Sequence, residues 1–343
     1  MKKKLILFLG IVMAIALLSA CSDKGESSES NSDSGASSGS GETYEISYST
    51  WANPGEPAYE GMEKFKEIVE EKTDGNIKVD LFPSNQLGTT EEQMEQVKLG
   101  TIQMMSSGNP GLQEIEYLSL PYLMKSNAHW KHVLDSDVGQ EWNEKLINEM
   151  GIRNIGILPR GPRVISANKE IYTPDDMAGF KVRSPERDYY VQTFEALNAN
   201  PTPMDFGEVY SGLQTGVVDG QENPLETFYS AGFQEIQDYV ILSNHMFKPA
   251  FVTINEEFFQ NLPEEYQQII LDATAEAEAF AEEKLAESEE TMRQELEAAG
   301  VTFIEPDIDA FREATQEVRD RLGKEVWGEE VYQQIVEMGQ ADL

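Results

Sequence analysis

A single cysteine in 343 residues, Cys21, leaves no second thiol for an intrachain disulfide and no set of thiolates for a metal cluster. Histidine is nearly as scarce: His129, His132 and His245 are all there are. The first two flank Trp130 three residues apart, with no carboxylate beside them, which reads as an exposed helix face and not as a zinc site. The chain contains no Walker loop, no dinucleotide-binding glycine fingerprint, no H-E-x-x-H and no EF-hand loop. "GASSG", Gly35 to Gly39, fits the letters of a nucleophile elbow but has neither a strand before it nor a helix after it. No Ser/His/Asp set can be assembled. Positive charge is also in short supply, with 26 Lys and Arg against 62 Asp and Glu and a formal net charge of −36. Such a chain is repelled by nucleic acid and by anionic membrane surfaces, which excludes both as partners of its surface. In so acidic a background a pair of neighbouring carboxylates carries almost no information about catalysis.

The only long apolar run lies at the start. Met1-Lys2-Lys3-Lys4 is a basic segment, and Leu5 to Leu18 is an unbroken apolar stretch of 14 residues. A bilayer needs ~20 residues for a spanning helix, so this run suits the core of a signal peptide. Leu18-Ser19-Ala20-Cys21 resembles a bacterial lipobox, in which Cys21 becomes the lipid-bearing N-terminus after cleavage. Residues 1–20 then read as a lipoprotein signal peptide, and their removal takes three lysines with it, changing −36 to −39. Residues 21–42 are mostly Ser, Gly, Asp and Glu with no large apolar side chain to bury, a flexible tether. The expected location is extracytoplasmic, anchored to the cell membrane through Cys21. The remaining ~300 residues are enough for two lobes around separate cores.

Periodicity orders that remainder. Thr43 to Trp51 alternates as a strand. Met62, Phe65, Ile68 and Val69 fall at helical spacing within Tyr59 to Lys72. Ile77 to Phe82 predicts a strand, Thr90 to Leu99 a helix, and Ile102 to Ser106 a third strand. This rhythm implies a parallel α/β sheet. A second rhythm follows: strands at Ile152 to Leu158, Val164 to Ala167 and Phe180 to Arg183, helices at Pro174 to Ala178, Asp188 to Leu197 and Phe206 to Leu213. Phe247 to Ile254 and Val301 to Ile304 read as strands returning to one sheet or the other. Between them, Glu264 to Ala299 holds no Gly or Pro, with Pro263 before it and Gly300 after it. A helix of that length runs roughly 55 Å, longer than one lobe is wide.

Two polar features remain. Arg160, Arg163 and Arg183 lie in a region bounded by strands, and Arg183 stands at the C-terminal end of one, where ligands of open α/β sheets bind. The planar guanidinium takes a carboxylate through two parallel hydrogen bonds, though surface pairing with the abundant acids explains such arginines equally well. The other feature is "VVDGQENP", Val217 to Pro224. It reads as no regular element: Gly220 frees the backbone, Pro224 biases Asn223 away from helix, and the polar side chains sit at a fixed bend.

The blocks "GFKVRSPE", "ALNANPTPMDFGEVYSGLQTGVVDGQENPLETFYS" and "SNH", preceded by "KFKEIVEEKTDGNIKVDLFPSNQLG" and "LGTIQM", resemble the solute-binding proteins of tripartite ATP-independent periplasmic (TRAP) transporters, the DctP-type family. The resemblance covers nearly all of the chain after the tether. It implies an α/β, two-lobed periplasmic-binding-protein-like fold with hinge strands and a long helix spanning both lobes. The implied lobes are 43–160 with 249–288, and 161–248 with 289–343. It further implies a non-enzymatic receptor, without cofactor or metal, that delivers an organic acid to the membrane subunits of a permease. Arg183 matches the arginine that forks onto the ligand carboxylate, Arg163 a second arginine, Asn223 an asparagine on the same carboxylate, and Phe206 a ring beside the ligand. Glu222 and His245 match groups that orient the arginines. Sialate binders of this family carry a glutamate where this chain has Ser106-Ser107-Gly108-Asn109, which disfavours sialic acid and leaves C4-dicarboxylates and hexuronates or related sugar acids. Asn53, after the first strand, is a candidate contact for a ligand hydroxyl, or a plain Asn-Pro turn. Two other classes fit parts of the pattern: a sensory protein presenting the ligand to a kinase, and an extracellular hydrolase.

Overall fold

The computed structural model describes residues 43–339. The signal segment, Cys21 and the tether lie outside them. Among the described residues, eleven strands form two sheets. β1 (Tyr44–Thr50), β2 (Ile77–Phe82), β3 (Met104–Ser107) and β4 (Ile152–Leu158) enter the first in sequence. β5 (Arg163–Ala167), β6 (Lys181–Ser184), β7 (Asn200–Pro203), β8 (Gly220–Pro224) and β9 (Tyr239–Met246) build the second. The chain then returns: β10 (Ala250–Asn255) joins the first sheet and β11 (Thr302–Ile304) the second. The orders are β2-β1-β3-β10-β4 and β11-β9-β5-β8-β6-β7. β1, β2 and β3 are parallel, as the β-α-β-α-β rhythm requires, but β10 runs antiparallel between β3 and β4. In the second sheet β5 is antiparallel to both of its neighbours. Both sheets are therefore mixed, because each receives a strand from the far side of a crossing.

Local chemistry accounts for the helices. The helix Pro57–Lys72 starts on proline and buries Met62, Phe65, Ile68 and Val69 on one face. Thr90–Lys98 opens with a reciprocal capping box between Thr89 and Glu92. The helix Glu264–Ala298 has 35 residues, ~52 Å, with Gly300 at φ +101° just past its end. Ile270, Ala273, Ala277 and Ala281 pack into the core of the first sheet, whereas Leu296 packs into a core of the second with Val240 and Phe228. Small residues set the approach: a methyl group on Gly61 would stand 3.1 Å from the Cβ of Ala281. The long helix therefore spans both lobes. Helix Ile308–Met338 packs on Asn127–Asp135 and on Asp188–Ala196, so this C-terminal element is not confined to the second lobe.

Two sequence expectations are corrected here. His129 is not on an exposed face; it is fully buried, with Nε2 2.9 Å from the carbonyl of Ile335. Among the described residues no cluster of His, Cys, Asp or Glu suited to a metal is present. The second correction concerns "GQENP", which is no bend. It is β8, all five residues buried, paired with β5 across one edge and β6 across the other. Gly220 is required for space and not for a special φ, since a Cβ there would meet the carbonyl oxygen of Ser166 at 2.1 Å and Phe180 Cζ at 2.4 Å.

Candidate functional site

A strand made of Gly, Gln, Glu, Asn and Pro must give each buried polar group a partner. β8 does so in both directions. Asn223 Nδ2 donates to Gln221 Oε1 at 2.7 Å, and Gln221 Nε2 to Ser166 Oγ at 3.0 Å. Glu222 accepts from Arg163: Nε to Oε2 at 2.5 Å and Nη2 to Oε1 at 2.7 Å. The same Nη2 reaches the carbonyl of Glu222 at 3.0 Å and Asn223 Oδ1 at 2.9 Å. His245 on β9 completes the group, with Nε2 3.4 Å from Glu222 Oε2 and Nδ1 2.8 Å from Ser243 Oγ. Burial alone would raise the Glu222 carboxyl. Arg163 and His245 outweigh it and hold the group at about 2, while Glu222 in turn raises Arg163 against the effect of its own burial.

Of this group, Arg163 and Asn223 line a cavity of about 110 Å³ between the two sheets. Its walls come from the carboxyl ends of strands and the loops beyond them: Trp51 after β1, Gly108 and Asn109 after β3, Arg183 on β6 and Asn223 on β8. Arg183 is 4% exposed; its Nε and Nη2 both donate to the carbonyl of Met204, at 3.0 and 2.7 Å. Burial lowers it to about 10, so it stays charged at neutral pH. Phe206 lines the same cavity and packs edge-on to Phe233. At the mouth stand Glu91, Glu186 and Asp205, with Glu91 joined to Arg187 at 2.7 Å.

Arg163, Arg183, Asn223 and Phe206 thus converge on one cavity, and Glu222 and His245 stand behind Arg163. Asn53 does not join them. It is not among the lining residues, and its side chain is engaged elsewhere, accepting from Ser84 Oγ at 2.7 Å and facing Ser230 Oγ at 3.3 Å. The turn explanation of Asn53-Pro54 is the one the geometry favours.

Arg160, Trp51, Tyr190 and Lys248 are among the lining residues that the reading from sequence did not assign to the site. Arg160 lies over the ring of Trp51 at 4.8 Å, donates to Thr227 Oγ1 at 2.7 Å and stands 3.7 Å from Glu226. Tyr190 lies beneath the Arg163 guanidinium at 5.6 Å. Lys248, on the connector between β9 and β10, is 5% exposed and donates to Tyr189 Oη at 2.6 Å. None of the four sits in a pattern that distinguishes it from core or surface. Only the strand-bounded position of Arg160, shared with Arg163, offered a signal.

Comparison with known proteins gives a consistent result. The profile of the bacterial extracellular solute-binding proteins, family 7 (DctP), matches residues 48–325. A solute-binding protein of Roseobacter denitrificans is 36% identical over 258 residues, 74% of this chain and 79% of its own. The crystal structure of a TRAP periplasmic solute-binding protein from that species, with bound L-galactonate, aligns with a TM-score of 0.79 at 32% identity, covering 86% of this chain and 98% of the other. The 2,3-diketo-L-gulonate-binding periplasmic protein YiaO of Escherichia coli is 34% identical over 77% of this chain and 82% of its own. The C4-dicarboxylate-binding periplasmic protein DctP of Rhodobacter capsulatus is 31% identical over 83% and 88%.

Proposed function

The chain belongs to family 7 of the bacterial extracellular solute-binding proteins, the TRAP type, and on that footing we propose that it binds a small organic acid by its carboxylate and delivers it to the membrane subunits of a TRAP permease. The ligand class is a sugar acid or hexuronate, or a C4-dicarboxylate, in line with the ligands named for its relatives. The observation that carries this reading is the concentration of buried cations around one cavity in a chain of net charge −36. Arg183 takes the carboxylate; its tie to the Met204 carbonyl fixes the guanidinium plane and leaves the rest of the fork for the ligand. Arg163 is neutralised and oriented by Glu222, Asn223 stands beside it, and Phe206 covers the carbon skeleton. Delivery requires closure of the two lobes over the acid, by movement at the crossings between β4 and β5 and between β9 and β10.

Calorimetry against dicarboxylates, hexuronates and aldonates tests the proposal, with Arg183→Lys as control. An ammonium cannot hold the Met204 carbonyl and fork onto a carboxylate at once. Loss of one partner from a buried charge pair costs on the order of 2–5 kcal/mol, so the variant is expected to bind at least tenfold more weakly. Weakening of less than threefold would remove Arg183 from the site. We further assign Cys21 as the lipid-bearing residue, on the basis of the apolar run and the Leu18-Ser19-Ala20-Cys21 motif. Among the described residues no helix is long and apolar enough to cross a membrane. Cys21→Ser should move the protein from the membrane fraction to the soluble one with ligand affinity unchanged; retention in the membrane fraction would refute the anchor.

A further inference from the structure

The cations that line the cavity are not equally matched by protein carboxylates. Arg163 has Glu222 at 2.5 Å, Arg160 has Glu226 at 3.7 Å, and Arg187 has Glu116 at 2.6 Å and Glu91 at 2.7 Å. Two remain. Arg183 donates to a backbone carbonyl, and Lys248 to a tyrosine hydroxyl. Among the described residues neither has a carboxylate within ion-pair distance. Lys248 is 5% exposed, and its Nζ lies 5.4 and 5.5 Å from the ring centres of Tyr189 and Tyr190. Its Cε is 3.8 Å from where a side chain on Gly108 would begin, so the ammonium stands between the segment after β3 and the helix Asp188–Ala196.

We propose that Lys248 takes a second acidic group of the ligand, so that the cavity prefers a dianion, a small dicarboxylate or an aldarate, over a monocarboxylic sugar acid. This rests on the acid-binding reading above and narrows it. One carboxylate on Arg183 answers one of the two unmatched cations; a second acidic group at the other end of the molecule answers the other. A monoacid offers Lys248 only a neutral oxygen, and hydrogen bonds between ionised partners are roughly twice as strong as neutral ones. Specificity follows as a difference of affinities between acids of nearly the same shape. The charged and titratable groups around Lys248 are Tyr189 and Tyr190 on the helix, Arg187 just before it, Glu116 at the end of the short helix Gln113–Glu116, Arg163 on β5 and Glu222 on β8. Burial brings its ammonium down to about 7, so a dianion that restores the charge must draw a proton into the site.

The test compares matched acids on the wild-type protein by calorimetry: succinate against succinamate, and galactarate against galactonate. The diacid of at least one pair is expected to bind thirtyfold or more tightly than its monoacid. Enthalpies of diacid binding measured above neutral pH in buffers of different ionisation heat should reveal proton uptake. Lys248→Met, checked for folding by its thermal transition, should abolish the uptake and most of the diacid preference, weakening each diacid at least tenfold more than its matched monoacid. A lysine that merely packs on tyrosines would move neither the preference nor the uptake. Monoacids binding within threefold of their diacids, or a variant that weakens both alike, would overturn the assignment of Lys248 and leave the acid-binding reading standing. Failure of every acid to bind the folded protein would sink both.

Discussion

Glu222 is a buried carboxylate whose charge is held by Arg163, with His245 beside it, and that makes its protonation visible in stability. Its pKa falls from 4.5 to about 2 on folding, so the unfolded chain takes up its proton first as the medium is acidified. The stabilisation is complete above pH 4.5 and is lost as pH falls toward 2, a window worth on the order of 3 kcal/mol. In Glu222→Gln the ion pair is already gone. The variant is expected to be less stable than wild type by a few kcal/mol at pH 7, the range for breaking one side of a buried pair, with the gap closing as both are acidified. Urea unfolding of the two proteins from pH 7 to pH 3 measures this; a gap independent of pH would mean that the charge of Glu222 contributes nothing. At this scale the sequence was a partial guide. Glu222 and Asn223 could be placed beside an arginine because they stand in a family motif, whereas Lys248 and Tyr190 reach the cavity from segments whose letters suit a core equally well.

Among the elements, β8 is the one most clearly at odds with its composition. Strand propensity disfavours Gly, Gln, Glu, Asn and Pro, and local reasoning turned the segment into a bend. Its strand character comes from outside, from the ladder with β5 and from the side-chain chain through Gln221 to Ser166. No window of local sequence contains β5, 50 residues and more away, so the pairing was illegible there. By contrast, the helix Pro57–Lys72 and the long helix after Pro263 carry their own signals in apolar spacing and terminal residues, and were read nearly to their ends. The tight seating of β8 has a cost that can be measured. Gly220→Ala drives a methyl group into the Ser166 carbonyl and the Phe180 ring, and overpacking of this kind costs about 3 kcal/mol or more. A urea midpoint within experimental error of wild type would show that β5 and β8 can separate to admit it.

For the molecule as a whole, the two-lobed plan was legible because the family blocks run through both sheets, from β2 in the first to β9 in the second. The mixed strand directions and the C-terminal helix were not legible, since both depend on where a returning segment docks and not on what it contains. The acidic rim of Glu91, Glu186 and Asp205, set in a surface of strongly negative total charge, also bears on the kinetics of capture. An incoming anion climbs a repulsive field before it meets the buried arginines. That outer field is screened over about 8 Å at physiological ionic strength, whereas the buried contacts are screened far less. Salt should therefore quicken association while leaving dissociation nearly unchanged, and binding of an acid should tighten as ionic strength rises. Stopped-flow measurements from low salt to about 0.5 M would decide it, and an association rate that falls with salt would mean that the buried cations project through the rim. A receptor built this way would collect its solute best in brine.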